Sequence, residues 1–221
     1  MTVSESDRAA RCRAIRADTE PTPSSPGTRR RRPSSDELSE WHPSDHPPIH
    51  RGAFTHLDRP HRRGLATWSA PFADAASAVD SRVNHGVTSD AALAVLRPAL
   101  TKFGFEIEAS KTASGKIRRP VLFGENGRPI VAYEVDCFHP GLGIVLEVEA
   151  GRGAAGNADY RDLIRTSLIV DAEYLVLGMM LEYRTGRTTM RSYERTRDQL
   201  DAIYASEQLR LPFKGVLVVG Y

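Results

Sequence analysis

Two acidic segments, close together in the sequence, carry the residue types that hold a divalent cation. Val131–Phe138 and Gly143–Ala150 both alternate polar and apolar residues with a period of two, as half-buried strands do. A hairpin loop at Pro140–Gly143, with His139 paired to Ile144, places four carboxylates on one face: Asp136 opposite Glu147, and Glu134 opposite Glu149. Like charges directly opposed at roughly 5 Å are destabilising. Because Mg²⁺ and Mn²⁺ prefer oxygen ligands, we expect a divalent cation here.

The same acids allow a second interpretation, in which arginines from the next helix neutralise an exposed acidic sheet face. Arg161 and Arg165 are four residues apart and therefore share one face of that helix. They either clamp a phosphate group or pair with nearby acids such as Asp159 and Asp162. The sequence leaves both interpretations open.

Composition excludes several classes of protein. The 221 residues are 40% hydrophobic and carry a formal net charge of +2, so a packed core is expected and no global basic field indicates nucleic acid. Cys12 and Cys137 are too few for a disulfide framework or a zinc site. The first residues lack the apolar run of a signal peptide, and no stretch is long enough to span a bilayer. These features predict a reduced, cytoplasmic protein with no membrane partner.

The first 80 residues predict a disordered tail, and residues 81–221 a folded domain. The tail is rich in Pro, Ser, Arg and His and poor in aliphatic residues. Its basic block, Arg29–Arg32, has two interpretations. It is either part of a solvated tail or binds a phosphate backbone. Translation from a later start codon is another interpretation. The five histidines of the tail lack a helix or hairpin that would fix a metal geometry: His42, His46, His50, His56 and His61.

The remaining sequence predicts an α/β domain. A helix begins after the N-cap residues at Thr88 and ends near Phe103, before Gly104. Three antiparallel strands follow, the first at Lys116–Phe123 and the others being the two acidic segments. A helix over Ala158–Val170, with Asn157 as N-cap and Tyr160 among its core residues, then leads to a buried strand, a second helix and a final buried strand. The Gly-rich run at 151–156 lacks the Lys-Ser/Thr of a phosphate loop.

This order, with Asp136 on the second strand and Glu147-Val148-Glu149 on the third, resembles the PD-(D/E)XK nuclease superfamily over Thr88 to Tyr221. The resemblance implies a restriction-endonuclease-like α-β-β-β-α-β core with a mixed sheet, and Mg²⁺- or Mn²⁺-dependent hydrolysis of DNA. The family usually has Lys where this chain has Glu149, although a minority of restriction enzymes carry Glu-x-Glu. Residues 146–164 also resemble a stretch of actinobacterial proteins of unknown function.

We therefore assign expected roles to particular residues. The metal ligands are expected to be Asp136, Glu147 and Glu134. Catalysis is expected to use Asp136, Glu147, Glu149 as proton acceptor or second-ion ligand, and Arg161 at the phosphate. The DNA contacts are expected from basic residues around these acids: Lys111, Lys116, Arg118, Arg119, Arg152 and Arg165.

The leading interpretation is a metal-dependent endonuclease of restriction, repair or defence. The alternative is a catalytically inactive protein of the same fold that binds nucleic acid or a protein partner. About 135 folded residues leave little room for a recognition domain, so cleavage specificity would need a homodimer, a partner protein or the basic tail.

Overall fold

The computed structural model describes residues 52–55, 67–151, 156–206 and 208–221. All of them belong to one compact unit, His46–Tyr221. The predictions for the arginine block and the five histidines of the tail, and for Arg152, lie outside the described residues. No helix in the described ranges has the length and apolar character needed to cross a membrane.

The chain forms a mixed α/β fold, as predicted at that level. Strands β6, β7 and β10 run parallel, and antiparallel strands complete the sheet in the order β1-β10-β7-β6-β5-β2. Two hairpins, β3–β4 and β8–β9, form separate two-stranded sheets. The strands are β1 Gly52–Thr55, β2 Glu106–Ile107, β3 Ile117–Phe123, β4 Pro129–Val135, β5 Cys137–His139, β6 Ile144–Glu149, β7 Tyr174–Met179, β8 Tyr183–Thr185, β9 Thr188–Met190 and β10 Gly215–Gly220. The helices are α1 Ala70–Asp74, α2 Ala76–Val79, α3 Ser89–Lys102, α4 Ala158–Ser167 and α5 Ser192–Ser206.

Helices cover both faces of the sheet. Side chains alternate between the faces along each strand, and both faces carry apolar residues that the helices bury. On one face, Leu146 and its neighbours pack with Leu96 of α3 and Phe72 of α1. On the other, Val145 and Leu177 pack with residues of α4 and α5. Glu147 and Glu149 share a face with Val145, so they point towards the α4 side of the sheet.

Helix α3 confirms the predicted start and end. The Thr88 side chain accepts a hydrogen bond from the Ala91 backbone N–H at 3.2 Å, and this bond caps the helix. Leu93, Leu96 and Leu100 are buried, as their spacing indicates. Pro98 lies within the helix without ending it.

The predicted strand Val131–Phe138 is wrong as a single element. It breaks at Asp136, so that β4 pairs with β3 outside the main sheet and only β5 pairs with β6. The predicted register between β5 and β6 is confirmed, since His139 lies opposite Ile144 and Cys137 opposite Leu146.

Helix α4 presents a different face from the one predicted, and it ends at Ser167 instead of Val170. Its buried residues include Asp159, Asp162, Leu163 and Thr166, whereas the Tyr160 side chain is exposed. Asn157 has a left-handed backbone and makes no side-chain cap; its side chain accepts a hydrogen bond from Arg195. Of the residues at apolar spacing, Leu163 is buried as predicted, whereas Ile164 and Leu168 are exposed like Tyr160.

The folded unit includes structure before the predicted boundary at residue 81. β1 pairs with β10 along the edge of the main sheet. Phe72 and Val79 of the two short helices are buried in the core beneath α3. Phe72 packs against Gly178 of β7, where an added Cβ would lie 2.8 Å from the Phe72 ring. These residues are part of the domain, which therefore begins earlier than its hydrophobic periodicity indicates.

Candidate functional site

Asp136 and Glu147 lie side by side where β4 ends and β5 begins. The Asp136 backbone N–H points at Glu147 Oε2, 3.4 Å away, and Asp136 Oδ2 accepts a hydrogen bond from the Val148 backbone N–H at 3.0 Å. This is the juxtaposition that the sequence predicts. Its position follows from the break at Asp136, which leaves the aspartate outside both strands while keeping it opposite Glu147.

The Glu147 carboxylate is withdrawn from water, and Asp136 is half-buried. Glu147 is only 8% exposed. Burial, followed by the charges of Asp136 and Asp162, raises the pKa of Glu147 well above its ordinary value. Burial also raises the pKa of Asp136, although the hydrogen bond from Val148 opposes that change. Within the described part of the chain, neither carboxylate has a Lys or Arg ion-pair partner.

A second carboxylate pair, Glu149 and Asp162, lies beside the first. Burial and a hydrogen bond to Asp162 raise the pKa of Glu149 to about 8. Asp162 is 3% exposed and comes from the buried face of α4. The sequence indicates Asp162 only as a partner for arginines. Its spacing from Asp159 and Thr166, at three and four residues, could have identified a polar helix face turned towards the sheet.

Arg161 binds both members of this second pair. Its Nε lies 3.0 Å from Asp162 Oδ1, and its Nη2 lies 3.1 Å from Glu149 Oε1. The guanidinium is therefore held on carboxylates, as the acid-pairing interpretation predicts, and not turned towards solvent to receive a phosphate. More than half of the Arg161 side chain is still exposed, so the ion pair lies at the rim of the site.

Glu134 does not join the four-carboxylate face, which corrects its predicted role as a metal ligand. In the β3–β4 hairpin it pairs with Arg118 instead of lying opposite Glu149. Its carboxylate is largely exposed and lies 3.7 Å from Lys116 Nζ. The strand break at Asp136 explains the difference, because β4 leaves the plane of the main sheet before it could pair with β6.

Two of the predicted DNA-binding lysines hold a buried acid. Glu108 is 4% exposed, and the backbone N–H of Glu108 donates to the Asp136 carbonyl at 2.9 Å. Burial disfavours its charge, but the ammonium groups of Lys111 and Lys116 outweigh burial and hold the pKa of Glu108 below its usual range. Lys111 also pairs with Asp90. The structure thus brings two lysines to the acidic site, although not as free phosphate ligands.

The predicted arginines on β3 and α4 are mostly engaged. Arg119 stacks on the Phe138 ring at 3.7 Å and pairs with Asp171. Arg165 lies over the Tyr133 ring and donates to the Glu134 carbonyl at 3.3 Å. Arg118 is exposed.

The donor set fits a hard cation through Asp136 and Glu147. Within the described ranges, no three carboxylate, imidazole or thiol side chains converge closely enough to hold a metal ion by themselves. Mg²⁺ does not need such a set, since it keeps several waters and binds through one or two carboxylates. A buried and a half-buried carboxylate with no ion-pair partner in the described chain are chemically suited to that mode of binding.

Comparison with known proteins adds no assignment. No protein-family model matches the chain, and no curated protein is significantly similar to it in sequence. The geometry of the carboxylates is therefore the basis for any functional proposal.

Glu149→Gln is expected to stabilise the metal-free protein at alkaline pH. The folded-state pKa of about 8 lies above the ordinary 4.5, so the folded protein holds this proton more tightly than the unfolded chain does. That stabilisation is complete below about pH 4.5 and is lost as the pH rises towards 8. The expected loss between pH 5 and pH 8.5 is roughly 4 kcal/mol, and it should be absent in the variant.

The measurement is the free energy of urea unfolding at about pH 5 and pH 8.5 in EDTA. Glu134→Gln is the matched control, since it removes an exposed acid of the same type. Equal losses of stability in wild type and Glu149→Gln would show that Glu149 does not carry this proton.

Proposed function

We propose that the chain is a metal-dependent nuclease that hydrolyses phosphodiester bonds in DNA, on a restriction-endonuclease-like PD-(D/E)XK core. The observation that carries the proposal is a pair of neighbouring carboxylates, the buried Glu147 and the half-buried Asp136, without a cation partner in the described chain. Keeping two such charges together costs stability, which a divalent cation would restore. The order of helix, strands, helix and strand from α3 to β10 supports this family of folds.

Each group in the site has a chemical role in this proposal. Asp136 and Glu147 would hold Mg²⁺ or Mn²⁺, which when bound polarises the phosphoryl oxygens and lowers the pKa of a bound water. Glu149, with a pKa of about 8, is suited to exchange a proton near neutral pH. Asp162 holds Glu149 in place through their hydrogen bond. Lys111 and Lys116 keep the neighbouring Glu108 ionised, and their positive charges offset its negative charge.

One observation favours the alternative function, a nuclease-fold protein that binds DNA without cutting it. Arg161 bridges Glu149 and Asp162, which leaves the second carboxylate pair neutralised by the protein itself. If that ion pair persists when DNA binds, Glu149 cannot accept a proton from water. The two functions therefore differ in cleavage and agree in DNA binding.

The test is incubation of the full chain with supercoiled plasmid and with single-stranded DNA, in Mg²⁺, in Mn²⁺ and in EDTA. We expect cleavage that requires the cation, together with a rise in the melting temperature when the cation is added. DNA binding and cation binding without cleavage would support the alternative. A chain with no cation-dependent change in melting temperature or cleavage would contradict the metal site.

A further inference from the structure

The hairpin β8–β9 forms a two-stranded sheet of its own. It leaves the main sheet after the carboxyl end of β7 and returns to the start of α5. Thr185 pairs with Thr188, so that the turn consists of Gly186 and Arg187 alone. Gly186 has φ +56°, the left-handed conformation that a two-residue hairpin turn requires at its first position. Arg187 therefore lies at the tip of a short, tightly turned ribbon.

The base of this hairpin packs against the chain just beyond Glu149. The Tyr183 ring packs directly on Gly151, two residues beyond Glu149, and a Cβ on Gly151 would lie 2.2 Å from the ring. The Gly151 N–H also points at the Met180 sulfur, 3.1 Å away. Because Tyr183 and Met190 pair across the ribbon and point the same way, the opposite face carries Arg184 and Thr189. That face is exposed, and the hairpin begins after the strand end where Met179 of β7 pairs with Glu149 of β6.

The hairpin has a strong excess of positive charge. Residues 181–191 contain three arginines and one acid, Glu182, which pairs with Arg184 at 3.2 Å. Arg187 and Arg191 are exposed and form no ion pair within the part of the chain that the structure describes. The hairpin also carries three exposed threonines with hydroxyl groups, Thr185, Thr188 and Thr189. By contrast, Arg161, Arg165 and Arg119 near the acids already contact protein groups.

We propose that the β8–β9 hairpin binds the phosphate backbone of the DNA on which the carboxylates act. The inference rests on the proposed function for the substrate class, and on charge complementarity and location for the surface. Arginine and threonine side chains are common donors to phosphate oxygens, and such contacts position a duplex without reading its sequence. A ribbon anchored two residues from Glu149 would hold the backbone next to the site of hydrolysis.

The test is binding of a fluorescein-labelled duplex of about 20 base pairs in EDTA, followed by anisotropy between about 50 and 200 mM NaCl. We compare wild type with the double variant Arg187→Ala/Arg191→Ala. The control is Arg210→Ala/Lys214→Ala, which removes the same charge from exposed residues before β10. These residues precede the start of β10, whereas the hairpin follows the end of the parallel strand β7. Unchanged thermal unfolding shows that each variant is folded.

The hairpin variant is expected to bind at least tenfold more weakly at low salt. The slope of log K against log salt should fall in magnitude by about two, because roughly 0.9 counterions are released for each phosphate contact. The control should stay close to wild type. Equal affinity and slope in the hairpin variant and the control would overturn the inference, as would a second copy of the chain, rather than DNA, binding through the hairpin in sedimentation.

The binding result and the nuclease activity can fail separately. Weaker binding by the hairpin variant supports the inference even if wild type never cuts DNA, in which case only the nuclease proposal fails. If wild type cuts DNA and the hairpin variant binds and cuts as well as wild type does, only the hairpin inference fails. In an active enzyme, we expect the variant to raise KM and leave the rate at saturating DNA unchanged.

Discussion

Asp136→Asn and Glu147→Gln should each abolish Mg²⁺-dependent cleavage of DNA while the protein stays folded. Either change removes one of the two carboxylates proposed to hold the cation, and a cation typically supplies several kcal/mol of transition-state stabilisation. We expect the rate to fall about a thousandfold, which corresponds to roughly 4 kcal/mol. The measurement is single-turnover cleavage of a labelled duplex, with the melting temperature recorded with and without Mn²⁺.

The same variants should be at least as stable as wild type in EDTA, because each removes an acid whose ionised form is disfavoured by burial and by the neighbouring acids. They should also lose the rise in melting temperature on addition of Mn²⁺. Glu134→Gln is the control, since Glu134 lies on the neighbouring hairpin with an exposed carboxylate. This variant should cleave DNA like wild type. Full activity in either folded site variant would exclude the proposed mechanism.

Deletion of residues 1–87 should destroy cooperative unfolding, whereas deletion of residues 1–45 should preserve it. The longer deletion removes β1 and the two short helices, including Phe72, which is buried between α3 and the sheet. The loss of one buried Phe side chain typically costs 3–5 kcal/mol, and whole domains are stable by only about 5–15 kcal/mol. The shorter deletion stops at the start of the compact unit.

Differential scanning calorimetry of the three chains measures this difference. Phe72→Ala in the full chain is the finer probe, with an expected loss of about 3 kcal/mol or more. Val83→Ala is its control, because Val83 belongs to the same segment and is exposed. A sharp thermal transition near the wild-type temperature after the longer deletion would show that the domain does begin after residue 80.

The sequence predicts an element well where local signals and burial agree. Helix α3 has a capping Thr88, regular leucines and a glycine after its end, and each of these acts within a few residues. The β5–β6 register follows from alternation on both strands around a short loop. The position of Glu147 opposite Asp136 is predictable for the same reason, because it depends only on neighbouring residues in that register.

The sequence fails where the outcome depends on distant packing. Nothing in the run from Val131 to Phe138 marks the break at Asp136, since the alternation continues through it. Helix α4 has an apolar stripe at Tyr160 and Ile164, but the sheet beneath it carries Glu147 and Glu149, and the helix meets these with Asp162. Recognising Asp162 therefore required knowing first what the opposite surface contained.

The pairing of β1 with β10 has a consequence for folding and for solubility. The two strands are about 160 positions apart, so their contact closes a very long loop and should form late and open early. β10 consists of six buried residues, and without β1 its edge would present unpaired backbone groups on an apolar strand. Brief detachment of β1 would then expose a template for strand addition by a second chain. We expect aggregation of this protein to begin at that edge, at temperatures below global unfolding.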